Sequence, residues 1–220
     1  MTMLPVSRLL PAALLAVVST ACTSATGSAR SAAGVASAVP TPPGIPSLAH
    51  TPADVHFMSG MIHHHAQAVL MAGWAPTHGA NAELQRLAER IAVAQRDEIA
   101  LMQTWLRDKG EPVPEAKPGP MKMTMNGMAH EMLMPGMLSD LQLQLLDRAR
   151  GAEFDRLFLT FMIQHHQGAI TMVETLFGSQ GAAQDEVVFR FASDVVADQT
   201  TEIDRMEKML AARSDPASSK

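Results

Sequence analysis

The sequence predicts an all-α protein, a four-helix bundle formed by two duplicated helical hairpins, and three observations support this prediction. The chain is rich in Ala and Met and is only 4% aromatic, whereas strands favour β-branched and aromatic residues. Clusters of Pro and Gly separate four long segments in which apolar residues recur at helical spacing. The first two of these segments match the last two in sequence, so each pair is expected to form one hairpin.

The N-terminal residues 1–21 have the features of an export signal of the lipoprotein type. Arg8 precedes an apolar run that is too short to span a bilayer as a stable anchor and that ends at Ala21. Small residues before Cys22 are typical of a lipobox, in which cleavage leaves a lipidated cysteine. Ser19 stands where an aliphatic residue is usual, so cleavage by an ordinary signal peptidase near Ala21 is the alternative. The first route predicts a membrane-anchored lipoprotein on the periplasmic or cell-surface side, and the second predicts a soluble exported protein.

The rest of the chain divides by composition. Residues 22–49 are rich in Ser, Ala, Gly, Thr and Pro and are expected to form a flexible tether. The bundle is expected over residues 50–213, with a short tail at 214–220. Within the bundle we distinguish repeat 1 (50–110), a Met-rich linker (111–137) and repeat 2 (138–213).

Capping residues and helix breakers set the expected helix ends. The first helix is expected to begin at Pro52, because Thr51 suits the N-cap and Asp54 can complete a capping box. It should end near Trp74, before Pro76. The other expected helices are a second at about 81–109, a short one after Ser139, a third from 151–155 to 178, and a fourth at about 182–213.

A duplicated motif carries the candidate metal ligands. FMSGMIHHHAQAVLM at 57–71 aligns with FLTFMIQHHQGAITM at 158–172, at a constant offset of 101 residues. The next helices share a Gln-x-x-Glu-Ile-x-x-Met motif at 95–102 and 199–206, at an offset of 104. Residues three and four apart share one face of a helix, so each repeat places two imidazoles beside a thioether. These residues are Met61, His64 and His65 in repeat 1, and Met162, His165 and His166 in repeat 2.

Two glutamates lie on otherwise apolar stripes of the second helix of each repeat. Glu98 shares its stripe with core positions spaced by seven residues, and Glu202 does the same in repeat 2. A carboxylate on such a stripe needs a hydrogen-bond partner, a counter-charge or a metal. The histidines of the preceding helix are the natural partners. Glu98 and Glu202 would then either orient these histidines or bind the metal directly.

Other polar residues near the motif are given ordinary roles. Asp54 and Asp155, equivalent in the two repeats, are expected to act at helix starts. His63 has Gln in its place in repeat 2 and is not assigned to the repeated site. His56 and His78 have no counterpart in the repeat and are expected to be solvated.

The linker contains a second group of soft ligands. Seven methionines lie within 17 residues, among Pro, Gly, Lys, Asn and Thr, and no helical or strand periodicity is evident. Thioethers suit Cu(I), and Cys22 is the only cysteine, so the bundle has no thiolate to offer. The predicted ligands are therefore Met121, Met123, Met125, Met128, His130, Met132 and Met134, with Met137 completing the cluster. We expect that burial in a hydrophobic core cannot explain this cluster of methionines. The alternative to metal capture is an adaptable apolar flap over the bundle.

The quoted motifs, FMxxMIxHHxxA, FLxxMIxHHQGAI and QxxEIxxM, resemble the bacterial family catalogued as domain of unknown function 305, whose relatives include CopM-like periplasmic copper-binding proteins. The resemblance covers residues 50–110 and 138–212. It implies a ferritin-like four-helix bundle and a role in copper or silver binding and tolerance. Carried onto this sequence, the motif positions of the family are Met61, His64, His65, Met162, His165 and His166.

The expected function is an exported copper-binding protein that sequesters or carries Cu(I), with Ag(I), Zn(II) and Cu(II) as alternative ions. A copper-transfer protein would be a natural partner. The net charge of −5 and the absence of a Lys/Arg cluster argue against nucleic acid as a partner.

Two other functions fit the same residues. A ferritin-like di-metal oxidase could use Glu98, Glu202 and the histidines, but carboxylate-bridged bundles carry Glu-x-x-His on one helix, and the long segments have no such motif. The other alternative is a metal-free structural or partner-binding bundle. Because the Glu-x-x-His motif is missing from the long segments, we expect no enzymatic activity.

Overall fold

The structure, a computed structural model, describes residues 50–125 and 128–214. The described residues form helices α1 (Pro52–Trp74), α2 (Ala82–Asp108), α3 (Asp140–Arg148), α4 (Gly151–Gly178) and α5 (Glu186–Ser214), and strands β1 (Met121–Met125) and β2 (Met128–Met132). The prediction of an all-α bundle is thus confirmed. The predicted signal peptide, Cys22, the tether and residues 215–220 of the tail lie outside the described residues. No helix in the described ranges combines the length and apolarity that a bilayer crossing requires.

Local capping fixes most helix starts where the sequence predicts them. At the start of α1, the Thr51 side chain accepts a hydrogen bond from the Asp54 N–H, and the Asp54 carboxylate accepts one from the Thr51 N–H, which completes the capping box. Ser139 caps α3 through a second capping box with Gln142, whereas the Asn81 side chain caps α2 by accepting hydrogen bonds from the N–H groups of Glu83 and Leu84. These short-range hydrogen bonds satisfy N–H groups that have no partner within the helix.

The fourth long helix begins later than predicted. α5 starts at Glu186 rather than near residue 182. Asp185 Oδ1 accepts hydrogen bonds from the N–H groups of Val187 and Val188, and Ala183 adopts a φ of 55°. The left-handed residue turns the chain before Asp185 can act as a cap, so the helix cannot extend back to residue 182.

The four long helices pack as two hairpins. α1 packs mainly against α2, and α4 packs mainly against α5, while α1 and α4 join the two hairpins. The duplication therefore corresponds to two similar structural units whose first helices meet at the centre of the bundle.

A polar layer divides the hydrophobic core into two clusters. The first core cluster contains buried apolar residues from positions 57–62 of α1, 99–106 of α2, 169–176 of α4 and 188–195 of α5. The second core cluster contains buried apolar residues from positions 68–75, 84–92, 154–162 and 203–209, in the following or preceding turns of the same helices. Between them lies what we call the histidine layer, which consists of His64, His65, His165, His166, Gln95, Glu98, Gln199 and Glu202.

Asp54 and Asp155 tie each repeat to the other. Asp54 Oδ1 accepts a hydrogen bond of 2.7 Å from the N–H of Ala183, in the loop before α5. Asp155 Oδ1 accepts one of 3.2 Å from the N–H of Asn81, in the loop before α2. Each aspartate thus holds the second helix of the opposite repeat, which is more than the helix-start role expected from the sequence.

The prediction that the Met-rich linker lacks strand periodicity was wrong. β1 and β2 form an antiparallel hairpin that pairs Met121 with Met132, Met123 with His130, and Met125 with Met128. Directly paired positions of an antiparallel ladder share one face. The alternation of Met at 121, 123 and 125 is therefore the period of a strand, and the prolines flank the hairpin without interrupting it.

The statement that the core cannot account for the linker methionines was also wrong for three of them. Met121, Met134 and Met137 are buried in the first core cluster, whereas Met128 and Met132 are exposed. The linker therefore supplies part of the core as well as exposed thioethers.

Residues 134–138, which we call the strap, cross over α1 and α4 beside the histidine layer. Gln67 on α1 accepts a hydrogen bond from the Leu138 N–H and donates one to the Leu138 carbonyl, at 2.7 and 3.0 Å. On α4, Gly168 allows the strap to approach, because a Cβ there would lie 2.1 Å from the Pro135 carbonyl oxygen. Since Gln67 and Gly168 are equivalent in the duplication, the strap is what breaks the symmetry of the two repeats.

Candidate metal centre

His64 and His165 face each other where the two hairpins meet. These residues occupy equivalent positions on α1 and α4, and their ring centroids are 3.7 Å apart at an interplanar angle of 36°. Both side chains are completely buried. The duplication thus places two imidazoles in contact at the centre of the bundle.

Burial keeps both rings neutral. The pKa values of His64 and His165 lie well below the ordinary value, first because burial disfavours the charged ring and then because neighbouring histidines repel a second positive charge. The Pro135 carbonyl acts in the opposite direction on His64 but does not outweigh burial. A neutral imidazole has one nitrogen with a free lone pair, which is the form that binds metals.

The strap fixes which nitrogen of His64 carries the lone pair. His64 Nε2 lies 3.1 Å from the carbonyl oxygen of Pro135, which can only accept, so Nε2 carries the proton and donates. Nδ1 of His64 then holds the lone pair, and it is buried without a hydrogen-bond partner in the described part of the chain. Neither ring nitrogen of His165 makes a hydrogen bond of normal geometry there either, and the nearby backbone of His64 acts to raise the pKa of His165 without outweighing burial. Buried polar atoms normally have partners, so these nitrogens are candidate metal donors.

The outer histidines contact the two glutamates, as expected from the shared stripes. His166 Nε2 donates a hydrogen bond of 2.7 Å to Glu202 Oε2. His65 Nε2 lies 2.8 Å from Glu98 Oε2, which is ion-pair distance, although the direction is not that of a hydrogen bond. In this arrangement each carboxylate holds the Nε2 side of a ring and leaves Nδ1 free, which is how carboxylates orient metal-binding histidines.

A polar cleft of about 370 Å³ between α2 and α5 leads to these glutamates. Glu98 and Glu202 line it with Asp198, as do Gln95 and Gln199, whose buried Oε1 atoms have no partner in the described ranges. Burial and then the nearby carboxylates of Glu98, Asp194 and Glu202 raise the pKa of Asp198. Arg90 and Arg205 also line this opening, so its carboxylates lie beside two guanidinium groups.

The predicted thioethers are distributed around the layer rather than gathered at one point. Met61 is buried in the first core cluster and Met162 in the second, so they lie on either side of the histidines. Met134 lies in the strap, and the hairpin holds the remaining linker ligands, including His130. Within the described ranges, no group of three or more His, Cys, Asp or Glu side chains is arranged to hold a single ion. The role of these residues as metal ligands stays a prediction.

Three histidines outside the layer differ in their surroundings. The expectation that His78 is solvated was wrong, because it is only 5% exposed and its Nε2 donates to the Asp147 carbonyl at 2.9 Å. His56 is half-buried, not freely solvated. His63 is also half-buried, with Nδ1 3.0 Å from the carbonyl oxygen of Lys117. The contact of His78 joins residues 69 positions apart, so no local signal could have predicted it.

Comparisons with known proteins agree with the fold and the motif. The sequence pattern of the family described as domain of unknown function DUF305 matches residues 54–210. A DUF305 fragment from Deinococcus radiodurans is 30% identical with a TM-score of 0.61, and the match covers 74% of this chain and 97% of that one. A DUF305 protein from Streptomyces coelicolor, named as secreted, is 30% identical with a TM-score of 0.61, over 73% and 92% of the two chains.

CopM provides the comparison with bound metal. CopM in the Cu(I)-bound form is 28% identical with a TM-score of 0.56, over 74% of this chain and 98% of that one. Its Cu(II)-bound and Ag-bound forms match to a similar extent. No curated protein matches the chain. Because the family pattern runs from the first turn of α1 to the last turns of α5, the chain belongs to the DUF305 family.

Proposed function

We propose that this protein binds a soft metal ion, Cu(I) first and Ag(I) second, in the histidine layer and sequesters or carries it outside the cytoplasm. One observation carries the proposal, namely the buried ring nitrogens of His64 and His165 that have no partner among the described residues. An unpartnered buried polar atom is unfavourable in the free protein. A metal ion coordinated by one nitrogen of each ring would relieve this cost for both repeats at once.

The chemistry of the layer favours a monovalent soft ion. Cu(I) accepts imidazole nitrogen and thioether sulfur, and it tolerates a low coordination number. The cost of burying an ion rises steeply with its charge, and the carboxylates of Glu98 and Glu202 are directed towards histidines at the edge of the layer. A divalent ion such as Zn(II) or Cu(II) would be better balanced by these carboxylates as direct ligands, so we rank both ions after Cu(I) and Ag(I).

The relatives support metal handling and export. CopM has been solved with Cu(I), Cu(II) and Ag bound, and the Streptomyces coelicolor relative is named as secreted. We extend both properties to this chain, with residues 1–21 as the export signal and Cys22 as a lipid anchor in the membrane. Replacing Cys22 by Ala should release the protein from the membrane fraction, and unchanged membrane association would refute the anchor.

Metal stoichiometry tests the proposed site. The purified protein should bind Cu(I) in competition with a chromophoric chelator, and a His64→Gln/His165→Gln variant should bind at least one equivalent less. His63→Gln is the matched control, because the equivalent position in repeat 2 is naturally Gln164. The control should keep the stoichiometry of the wild type. Equal binding by all three proteins would refute the histidine layer as the site.

The metal content and activity of the same purified protein distinguish the two alternative functions. Bound iron or manganese with oxygen-dependent turnover would favour a di-metal oxidase and contradict our expectation that the protein is not an enzyme. Absence of both retained metal and Cu(I) affinity would favour a metal-free structural bundle. A copper-transfer protein as partner is tested by mixing the Cu(I)-loaded protein with a copper-free acceptor and measuring metal transfer.

A further inference from the structure

A cavity of about 200 Å³ lies between α1, α4 and residues 132–135, and no side chain of the histidine layer lines it. Three methionines from two separate segments line it, namely Met132, Met134 and Met172, together with the imidazole of His56. Met134 and Met172 are buried at 3% and 7% exposure, His56 is half-buried, and Met132 is 45% exposed. The cavity therefore has a thioether-lined interior and a thioether at its mouth.

The two repeats differ in the residues at and beside this cavity. Met172 corresponds to Met71 of repeat 1, so a methionine is common to both repeats. His56 and Gly60, however, correspond to Leu157 and Phe161 of repeat 2. Both of these side chains pack against the second core cluster. The equivalent region of repeat 2 thus has bulky apolar groups where repeat 1 has an imidazole and a glycine.

Gly60 is required for the position of the Met134 sulfur. A Cβ at residue 60 would lie 2.7 Å from Met134 Sδ and 3.5 Å from the terminal carbon of Met172. The glycine therefore leaves the space that the thioether of the strap occupies against α1, close to the end of the Met172 side chain.

Gap filling alone does not explain this set of residues. Methionines in a core usually adapt their shape to fill irregular space, but here the space remains open and is far larger than one water molecule needs. The hydroxyls of Thr175 and Ser179, which also line the cavity, donate to backbone carbonyls of α4, whereas the imidazole of His56 adds a nitrogen donor that packing does not require. Thioether and imidazole together form a donor set suited to Cu(I) and Ag(I).

We propose that Met132, Met134, Met172 and His56 form a second soft-metal site, separate from the histidine layer. This inference rests on the proposed function for the kind of ion, but it uses a different set of residues. Pro135 lines the cavity and also accepts the hydrogen bond of His64. The strap therefore places the second site directly beside the histidine layer.

Titration with Ag(I), followed by native mass spectrometry of the purified protein, tests this site. A Met134→Leu/Met172→Leu variant should bind one equivalent of Ag(I) less than the wild type, or bind it at least 10-fold more weakly. Leucine conserves the volume of methionine closely enough to keep the core packed, and circular dichroism verifies this. Met71→Leu removes the equivalent thioether of the other repeat and should bind Ag(I) as the wild type does.

Protection from oxidation gives a second readout. Ag(I) should slow the oxidation of Met134 and Met172 by peroxide, measured by peptide mapping, because a coordinated sulfur lone pair is not available to the oxidant. Protection should persist in the His64→Gln/His165→Gln variant. Absence of protection in the wild type would overturn the site.

The variants distinguish failure of this site from failure of the proposed function. If Met134→Leu/Met172→Leu binds Ag(I) as the wild type does, while His64→Gln/His165→Gln loses an equivalent, the second site is refuted and the histidine layer stands. If only the methionine variant loses an equivalent, the second site stands and the histidine layer is refuted.

Discussion

Replacing Gly168 by Ala tests how the strap closes one side of the histidine layer. Gly168 lies within α4, where Ala would ordinarily favour the helix. The added Cβ, however, would lie 2.1 Å from the Pro135 oxygen, 2.4 Å from the Pro135 carbonyl carbon and 2.5 Å from Gly136 Cα. These are backbone atoms, so no change of side-chain rotamer can relieve the contact, and the strap must move away from α4.

The cost follows from the hydrogen bonds that hold the strap. His64 donates to Pro135, Gln164 donates to the Gly136 carbonyl, and Gln67 makes two hydrogen bonds with Leu138. Each contributes about 0.5–1.5 kcal/mol net, so loss of all four would destabilise the fold by about 2–6 kcal/mol. Partial displacement, in the usual range for overpacking, leads us to expect about 3 kcal/mol. For a domain of this size that corresponds to a decrease in Tm of roughly 6–12 °C.

Denaturant unfolding of the metal-free protein measures this effect, with Gly73→Ala as the matched control. Gly73 is an exposed position of α1, and a Cβ there would meet no atom within 4 Å. Its replacement should therefore stabilise the helix by about 0.5–1 kcal/mol. Gly168→Ala should also weaken Cu(I) binding, because His64 loses the partner that fixes its protonated nitrogen, although no proposed ligand has changed. A stability change of the same sign in both variants would refute this account of the strap.

Three further predictions follow from the described contacts. The pKa values of His64 and His165 are lowered by burial, so the unfolded chain takes up protons first as the pH falls below about 6.5. The metal-free protein should lose up to about 1.4 kcal/mol per pH unit for each histidine below that pH, and His64→Gln/His165→Gln should flatten the slope measured by denaturant unfolding at several pH values. Asp54→Ala removes the carboxylate that completes the α1 capping box and the partner of the buried Ala183 N–H, so it should destabilise the fold by about 2–4 kcal/mol in the same assay, whereas Asp140→Ala, at an exposed helix start, should cost less than half of that. Replacing three hairpin methionines, Met123, Met125 and Met128, by Leu should lower Cu(I) stoichiometry in the chelator assay without loss of helicity. Unchanged stoichiometry would show that these residues are not ligands.

Much of the bundle follows from local and periodic signals. The capping box of Thr51 and Asp54 involves residues three positions apart, and Ser139 caps α3 through a contact over the same separation. The duplicated motifs then predict two hairpins of the same design. The partnership of His166 with Glu202 also follows, because both lie on the inward faces of two adjacent helices.

Other features of the site depend on contacts between distant parts of the chain. The sequence gives no sign that Pro135 lies over His64, because the two residues are 71 positions apart. The same holds for Asp54 and Ala183, which are 129 positions apart. The linker was predicted as a ligand segment, with an apolar flap as the alternative, and the structure places Met134 and Met137 in the first core cluster.

The sequence by itself thus determined the helical hairpins, their duplication and the types of candidate metal donor, since helix periodicity and capping act over a few residues. Only the tertiary structure decided that His64 and His165 meet as a buried neutral pair, that the strap crosses one side of the layer, and that the two repeats differ at Gly60 and Gly168. Those features arise where backbone segments from different repeats pack closely, and steric fit between them is not encoded in any local pattern of residues.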